Sequence, residues 1–184
     1  MDIQTEVTPN PSSLKFLPGR TVMEKDTADF RNVEEAKRSP LALNLFKIDG
    51  VKGVFFGSDF ISITKSNNHE WQKLKHSISE TIIEYYKSGT AIMLQGEEDK
   101  TGTNNTEDNE AVIKIKEILD TKVRPAVDKD GGDITFQSFD DGIVYLHMKG
   151  SCSGCPSSTA TLKAGIENML KHYIPEVREV RPIT

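Results

Sequence analysis

Two cysteines, Cys152 and Cys155, are the residues whose chemistry is most specific, and the chain contains no others. Their C-x-x-C spacing is too short to link distant segments, so a disulfide framework of the kind found in small secreted domains is excluded. Thiolates bind metal ions and attack disulfides, which leaves metal ligation or redox chemistry as the reason for the pair. The same spacing also fits zinc sites and inert thiols, and the spacing alone does not choose among them.

The cysteine pair lies between a predicted strand and a predicted helix. Gly150 and Gly154 leave room around the pair, and Pro156 is suited to the first position of a helix. A helix N-terminus offers unsatisfied amide donors and the positive end of the helix dipole, so the sequence predicts a setting at Cys155 that favours a thiolate. Loop amides exposed by the glycines would also donate to cluster sulfides. Cys152 and Cys155 are therefore the candidate metal and cofactor ligands.

The number of ligands decides how this pair could hold a cluster. Four-iron, four-sulfur clusters and closed zinc sites usually take four protein ligands, whereas each chain supplies two cysteines. A second copy related by a two-fold axis doubles two thiolates to four, so the sequence predicts a homodimer when the site is loaded. Such a shared cluster loses half of its ligands when the subunits part. It should therefore be easier to release than a cluster held by one chain, as a carrier requires. Because Ser153 and Gly154 separate the cysteines and the proline follows the pair, a thioredoxin-like redox role is weaker, but zinc stays open.

The segments around the cysteines predict an α+β domain with the order helix, strand, strand, helix, strand. Apolar residues at helical spacing predict a helix of about four turns through Val112 and Val123, ending near residues 125–129 before the glycines of the next turn. Strands, a second helix beginning at Pro156 and a last strand follow, predicted at residues 134–139, 143–148, 156–173 and 177–182.

The first part of the chain predicts another small domain of mixed α and β structure. A hairpin is expected around Gly57, and Ser39 is placed to cap a short helix. The strands are predicted at residues 3–8, 14–17, 54–56 and 60–64, and the helices at residues 40–46 and 70–87.

A polar stretch separates the two predicted domains, residues 1–95 and 110–184. Residues 96–109 read GEEDKTGTNNTEDN and contain no apolar side chain. Such a segment has nothing to bury, so we interpret it as a flexible acidic linker.

Composition narrows the classes of partner and compartment. The formal charge is −5 and the basic residues are scattered among acids, so nucleic acid is not an expected partner. No apolar run approaches the roughly 20 residues of a membrane helix, and no membrane association is expected. Without a signal layout or an Arg-rich leader, the expected location is the bacterial cytoplasm, with the mitochondrial matrix after presequence removal as the alternative.

The remaining polar and aromatic residues give no second site pattern. The four histidines show no regular spacing and are interpreted as surface residues, and Trp71 lies at helical spacing with core positions. Four aspartates flank glycine turns, where Asp is common, and are interpreted as turn residues: Asp130, Asp133, Asp140 and Asp141.

Several runs resemble a known family. DGGD at residues 130–133 and GSCSGCPSS at residues 150–158 closely resemble the C-terminal domain of NifU-like, or Nfu-type, iron-sulfur cluster scaffold proteins. Three runs of the first domain resemble the Nfu N-terminal domain: TPNPSSLKF at 8–16, SPLA at 39–42 and GVKGVFF at 50–56. Together they span most of the chain.

The resemblance implies a carrier that is not an enzyme. It would hold a four-iron, four-sulfur cluster between two subunits through Cys152 and Cys155, which match the family's ligand positions. Its partners would be cluster assembly factors and the apo iron-sulfur proteins that receive the cluster. The longer NifU architecture has further cysteine-bearing domains, which this sequence lacks, so early assembly from a sulfur donor is not expected. The alternative function is a C-x-x-C thiol-disulfide oxidoreductase.

Overall fold

The computed structural model describes residues 2–94, 110–153 and 156–183, without the side chains of residues 156–159. The chain divides into two compact units, Met1–Asp99 and Lys100–Thr184. Each unit combines one sheet with helices, which confirms the predicted fold class. The linker predicted at residues 96–109 lies outside the described residues, and its boundaries stay a prediction. Within the described residues, no helix has the length and apolar character needed to span a membrane.

The first unit is built on a five-stranded antiparallel sheet. Its strands lie side by side in the order β1-β2-β5-β4-β3. Leu14 and Phe16 of β2 face the same side as Ile61 and Ile63 of β5, and all four are buried. The strands are β1 (Gln4–Val7), β2 (Ser13–Leu17), β3 (Ala28–Phe30), β4 (Val51–Phe56) and β5 (Ile61–Lys65).

Three helices complete the first unit: α1 (Val33–Ala36), α2 (Pro40–Phe46) and α3 (Trp71–Ser88). Ser39 caps α2 as predicted, because its hydroxyl accepts the Ala42 amide at 3.2 Å. The apolar stripe of α3 packs on the sheet through Ile78 and Ile82. The sequence did not indicate β3 or α1, which are three and four residues long, too short for a clear periodic pattern.

The second unit has the predicted element order with one irregular helical turn. Its helices are α4 (Glu110–Ile118), α5 (Arg124–Lys129) and α6 (Pro156–Tyr173), and its strands are β6 (Gly132–Asp140), β7 (Ile143–Gly150) and β8 (Glu179–Ile183). β6 pairs antiparallel with β7, and β7 pairs parallel with β8. β8 begins two residues later than predicted, because the Val177 amide still bonds the Ile174 carbonyl at 3.1 Å in a turn.

A π-helical turn, Leu119–Val123, joins α4 to α5. Pro125 has no amide hydrogen and therefore cannot continue the α-helical ladder. The Arg124 amide instead donates to the Leu119 carbonyl, five residues earlier. The single helix predicted here is thus divided, although its apolar face stays buried through Ile115, Leu119 and Val123.

The second unit has its own apolar core. Helix α6 contributes Ile166 and Leu170, which cluster with Ile134 and Leu146 of the sheet. Glu167 on α6 also accepts the Val180 amide at 3.1 Å. Together these contacts hold α6, the helix that follows the cysteine pair, against the sheet.

An ion pair ties α5 to the start of β6. The Arg124 guanidinium donates from Nε and Nη2 to the two carboxylate oxygens of Asp133, at 2.9 and 3.0 Å. Asp133 is 3% exposed and also accepts the Ile134 amide at 2.8 Å. The hydrogen bond to Asp133 raises the pKa of Arg124 further above its usual value. Asp133 is therefore a buried structural residue and not the turn residue that we predicted.

We predict that Arg124→Met destabilises the second unit by about 2–4 kcal/mol, because it leaves the Asp133 carboxylate buried without its counter-ion. The matched control is Arg181→Met, which removes an ion pair to Glu179 whose two side chains are 50% and 38% exposed. Because both of these side chains are exposed, that control should have a much smaller effect on stability.

The measurement is native-state hydrogen exchange of the β6 and β7 amides. Tryptophan fluorescence is unsuitable, since the only tryptophan, Trp71, belongs to the first unit. Equal protection in the two variants would contradict the structural role of the Arg124–Asp133 pair.

Candidate metal centre

Cys152 lies two residues beyond the end of β7, on the loop that leads towards α6. Its residue exposure is 7%, and it belongs to the core cluster of the second unit. Cys155 lies outside the described residues, so its predicted place at the helix N-terminus is untested. Both cysteines remain predicted ligands.

The sulfur of Cys152 occupies space that a side chain at position 132 would otherwise fill. A Cβ on Gly132 would lie 2.6 Å from Cys152 Sγ and 2.8 Å from the Lys149 carbonyl oxygen. Neither distance is possible for a real Cβ, so this close approach of β6 to the cysteine loop requires glycine. The sequence flagged Gly132 as a flexible turn residue, whereas its structural role is to make room for the sulfur.

Hydrogen bonds tie the cysteine loop to the turn before β6. The Ser151 hydroxyl donates to the Asp130 carbonyl, and the Ser151 amide donates to the Gly131 carbonyl at 3.2 Å. Gly131 has a φ of 80°, a conformation that glycine adopts without strain. The DGGD turn and the cysteine loop are therefore one connected structure, although 21 residues separate Ser151 from Asp130.

The thiolate-favouring setting was predicted for Cys155, which lies outside the described residues, and Cys152 lies in a different environment. The pKa of the Cys152 thiol is raised to about 12, chiefly by burial; the hydrogen bond with Ser151 lowers the pKa, and the nearby Asp130 and Asp133 carboxylates raise it. A neutral thiol suits an apolar setting, because a charged group loses its hydration there. With this raised pKa, Cys152 is a protonated thiol at neutral pH when no metal is bound.

The sulfur of Cys152 suits a thiophilic metal ion or an iron-sulfur cluster, provided that binding displaces the proton. Within residues 2–94, 110–153 and 156–183, no group of three or more His, Cys, Asp or Glu side chains is placed to hold a metal ion. This part of the chain includes Cys152 and excludes Cys155.

Three of the other residues considered from the sequence belong to the first unit. Trp71 packs against Phe16, with ring centroids 6.5 Å apart, which confirms its assignment to the core. His76 is a surface residue with 80% of its side chain exposed. His69 is more engaged than predicted, because its ring nitrogens contact Ser66 Oγ at 2.7 Å and Asp49 Oδ2 at 3.2 Å.

Two features beside the cysteine loop had no clear signal in the sequence. Lys149 is buried and stands opposite Asp133 in the β6/β7 register. Arg124 reaches Asp133 from nine residues earlier in the chain. Neither contact could be read from spacing, because the partners come from different elements.

Comparison with known proteins covers both units. The family model described as scaffold protein Nfu/NifU N terminal matches residues 3–89, and the NifU-like domain matches residues 115–181. A solved structure of a NifU-like protein from Saccharomyces cerevisiae is 25% identical and covers 52% of this chain and 87% of its own, with a TM-score of 0.47.

Two curated relatives match nearly the whole chain. The human NFU1 iron-sulfur cluster scaffold homolog, mitochondrial, is 52% identical over 100% of this chain and 72% of its own length. The NifU-like protein 4, mitochondrial, of Arabidopsis thaliana is 53% identical over 98% of this chain and 65% of its own length. With both domain models matched in order and identity above one half, the chain belongs to the Nfu family of NifU-like iron-sulfur cluster scaffold proteins.

Proposed function

We propose that this chain carries a four-iron, four-sulfur cluster between two copies of itself and delivers it to apo iron-sulfur proteins. The observation that carries the proposal is the ligand count: Cys152 and Cys155 are the only cysteines, and a cubane cluster usually takes four. Two copies supply four thiolates. The cluster is cargo, so the chain needs no catalytic residue, and we propose a non-enzymatic role.

The surroundings of Cys152 support a ligand that is charged only when metal is present. A thiolate formed there without a metal would be buried with the Asp130 and Asp133 carboxylates nearby, which is unfavourable. A bound metal supplies the positive charge that lowers this cost and displaces the proton. The same surroundings oppose the alternative function, since a thiol-disulfide oxidoreductase needs an accessible thiolate.

The compartment and partners are also part of the proposal. The human and Arabidopsis relatives are named mitochondrial, which favours the mitochondrial matrix over the bacterial cytoplasm expected first from the sequence. The proposed partners are cluster assembly factors and recipient apo-proteins.

Anaerobic reconstitution tests the cargo and the dimer together. With ferrous iron and sulfide, the chain should form a brown dimer holding about four irons and four sulfides per two chains. Cys152→Ser and Cys155→Ser should each abolish uptake, whereas Ser153→Ala, in the same loop, should keep it. The readouts are iron and acid-labile sulfide analysis with native mass spectrometry.

Two results of this experiment would contradict the proposal. A monomer that takes up zinc but never iron with sulfide would identify a different metal site. Rapid reduction of insulin disulfides by the iron-free chain would favour the oxidoreductase.

Gly132→Ala tests whether the cysteine loop must lie against β6. The added Cβ would collide with Cys152 Sγ, and relieving the collision should cost about 1–3 kcal/mol of stability in the second unit. Displacement of Cys152 should also lower the iron retained per dimer. Hydrogen exchange and iron analysis measure the two effects.

The control for this variant is Gly165→Ala on α6. A Cβ there would meet nothing within 4 Å. Alanine favours a helix over glycine by up to about 1 kcal/mol, so this variant should be neutral or stabilising. If Gly132→Ala behaves like Gly165→Ala in both measurements, the close packing of Gly132 is not required.

A further inference from the structure

The charges around Cys152 indicate a role for a residue that is not a ligand. Among the described residues, the charged groups that act on the Cys152 thiol are both carboxylates, those of Asp130 and Asp133. Nearby charges and hydrogen bonds affect both the stability and the reduction potential of a bound cluster. Two acids beside a candidate ligand are therefore expected to affect how firmly the cargo is held.

The backbone places Asp130 next to the cysteine loop. Its carbonyl accepts the hydroxyl of Ser151, the residue that precedes Cys152, and the Gly131 carbonyl accepts the Ser151 amide at 3.2 Å. Two residues after Asp130, a Cβ on Gly132 would lie 2.6 Å from the sulfur. The turn that contains Asp130 is thus packed against the loop that contains Cys152, whereas the Asp130 side chain is exposed.

The two carboxylates differ in how their charge is balanced. Asp133 is buried and accepts two hydrogen bonds from the Arg124 guanidinium, so its charge is matched within the fold. Among the described residues, none forms an ion pair with the Asp130 carboxylate. Water screens the Asp130 charge only in part, because the Cys152 sulfur is buried. Asp130 therefore supplies the unbalanced negative charge beside the candidate ligand.

Loading changes the charge beside Asp130. Without cargo, Cys152 is a neutral thiol, so the sulfur offers no like charge for the Asp130 carboxylate to repel. A four-iron, four-sulfur cluster held by four thiolates carries a net negative charge. Loading therefore brings negative charge towards a carboxylate, and a second copy in a shared site would repeat the arrangement. The repulsion acts only on the loaded state and lowers the free energy needed to release the cluster.

We propose that the Asp130 carboxylate weakens the hold on the cluster, so that the loaded dimer gives up its cargo more readily to a recipient. Asp130 acts in this role through its charge and not as a ligand. The role in release rests on the proposed carrier function, whereas the effect of Asp130 on Cys152 requires only the folded chain.

Asp130→Asn removes the charge and keeps the backbone carbonyl that accepts the Ser151 hydroxyl. The variant should lose its cluster to an iron chelator about three-fold more slowly than the unmodified chain, because a like-charge repulsion is absent from each copy. For the same reason, its cluster should be reduced at a more positive potential. Asp130→Glu retains the charge and should behave like the unmodified chain. The readouts are cluster absorbance and anaerobic potentiometry.

The matched control is Asp141→Asn, in the turn between β6 and β7. Asp141 is also exposed, and the strand register places this turn at the opposite end of the hairpin from Gly132 and Gly150. Asparagine tolerates the positive φ of 48° at this position. Because both variants change the net charge equally, Asp141→Asn should alter the rate of cluster loss by less than about 1.5-fold. High salt should reduce the difference between Asp130→Asn and the unmodified chain.

A metal-free measurement tests the electrostatic effect by itself. In the chain with Cys155→Ser, Cys152 is the only cysteine, and its rate of alkylation by iodoacetamide at mildly alkaline pH follows its thiolate fraction. Adding Asp130→Asn to this chain should raise the rate about three-fold, because thiolate formation then meets less repulsion. Adding Asp141→Asn should leave the rate unchanged.

Three results would overturn the proposal. Equal alkylation with and without Asp130→Asn would show that the charge does not act on Cys152. Faster alkylation with unchanged cluster loss would show that the charge has no role in release. Equal effects of Asp130→Asn and Asp141→Asn would show that net charge alone is responsible. If none of the chains forms a cluster, the carrier function is overturned and the role in release with it, while the alkylation rates still decide whether Asp130 acts on Cys152.

Discussion

The close approach of Gly132 to the Cys152 sulfur is the constraint on which the geometry of the candidate site depends. Because position 132 has no Cβ, the first residue of β6 lies directly against the loop that follows β7. The Ser151 hydrogen bonds to Asp130 and Gly131 then join the turn and the loop. Asp133 is the next residue of β6, and Arg124 of α5 holds its buried carboxylate. The position of the candidate ligand is thus determined by the start of a strand and not by the cysteine loop alone.

This packing also determines the charge of Cys152 before any metal arrives. An apolar setting with carboxylates nearby keeps the thiol protonated, so the folded chain does not hold an uncompensated thiolate in its interior. A ligand of this kind is stable without cargo and can become charged when a cation replaces the proton. A buried, protonated thiol is also less open to oxidation than an exposed thiolate.

Helices with clear apolar spacing or a clear N-cap were predictable from the sequence. The apolar spacing of α3 and the Ser39 cap of α2 came out as expected, because local propensity and core burial agree there. The π-helical turn was not anticipated, although Pro125 was visible. A proline can end, bend or locally widen a helix, and the buried positions on both sides of this one select the last outcome.

At the candidate site, the proposed ligands came from the sequence, whereas their surroundings did not. The C-x-x-C pair needs only two residues of one type at a fixed spacing. Asp133 was misassigned as a turn residue because its partner Arg124 comes from another element, and only the folded unit brings the two together. The steric role of Gly132 was hidden for the same reason, since the Cys152 sulfur that requires it lies twenty positions away in the sequence.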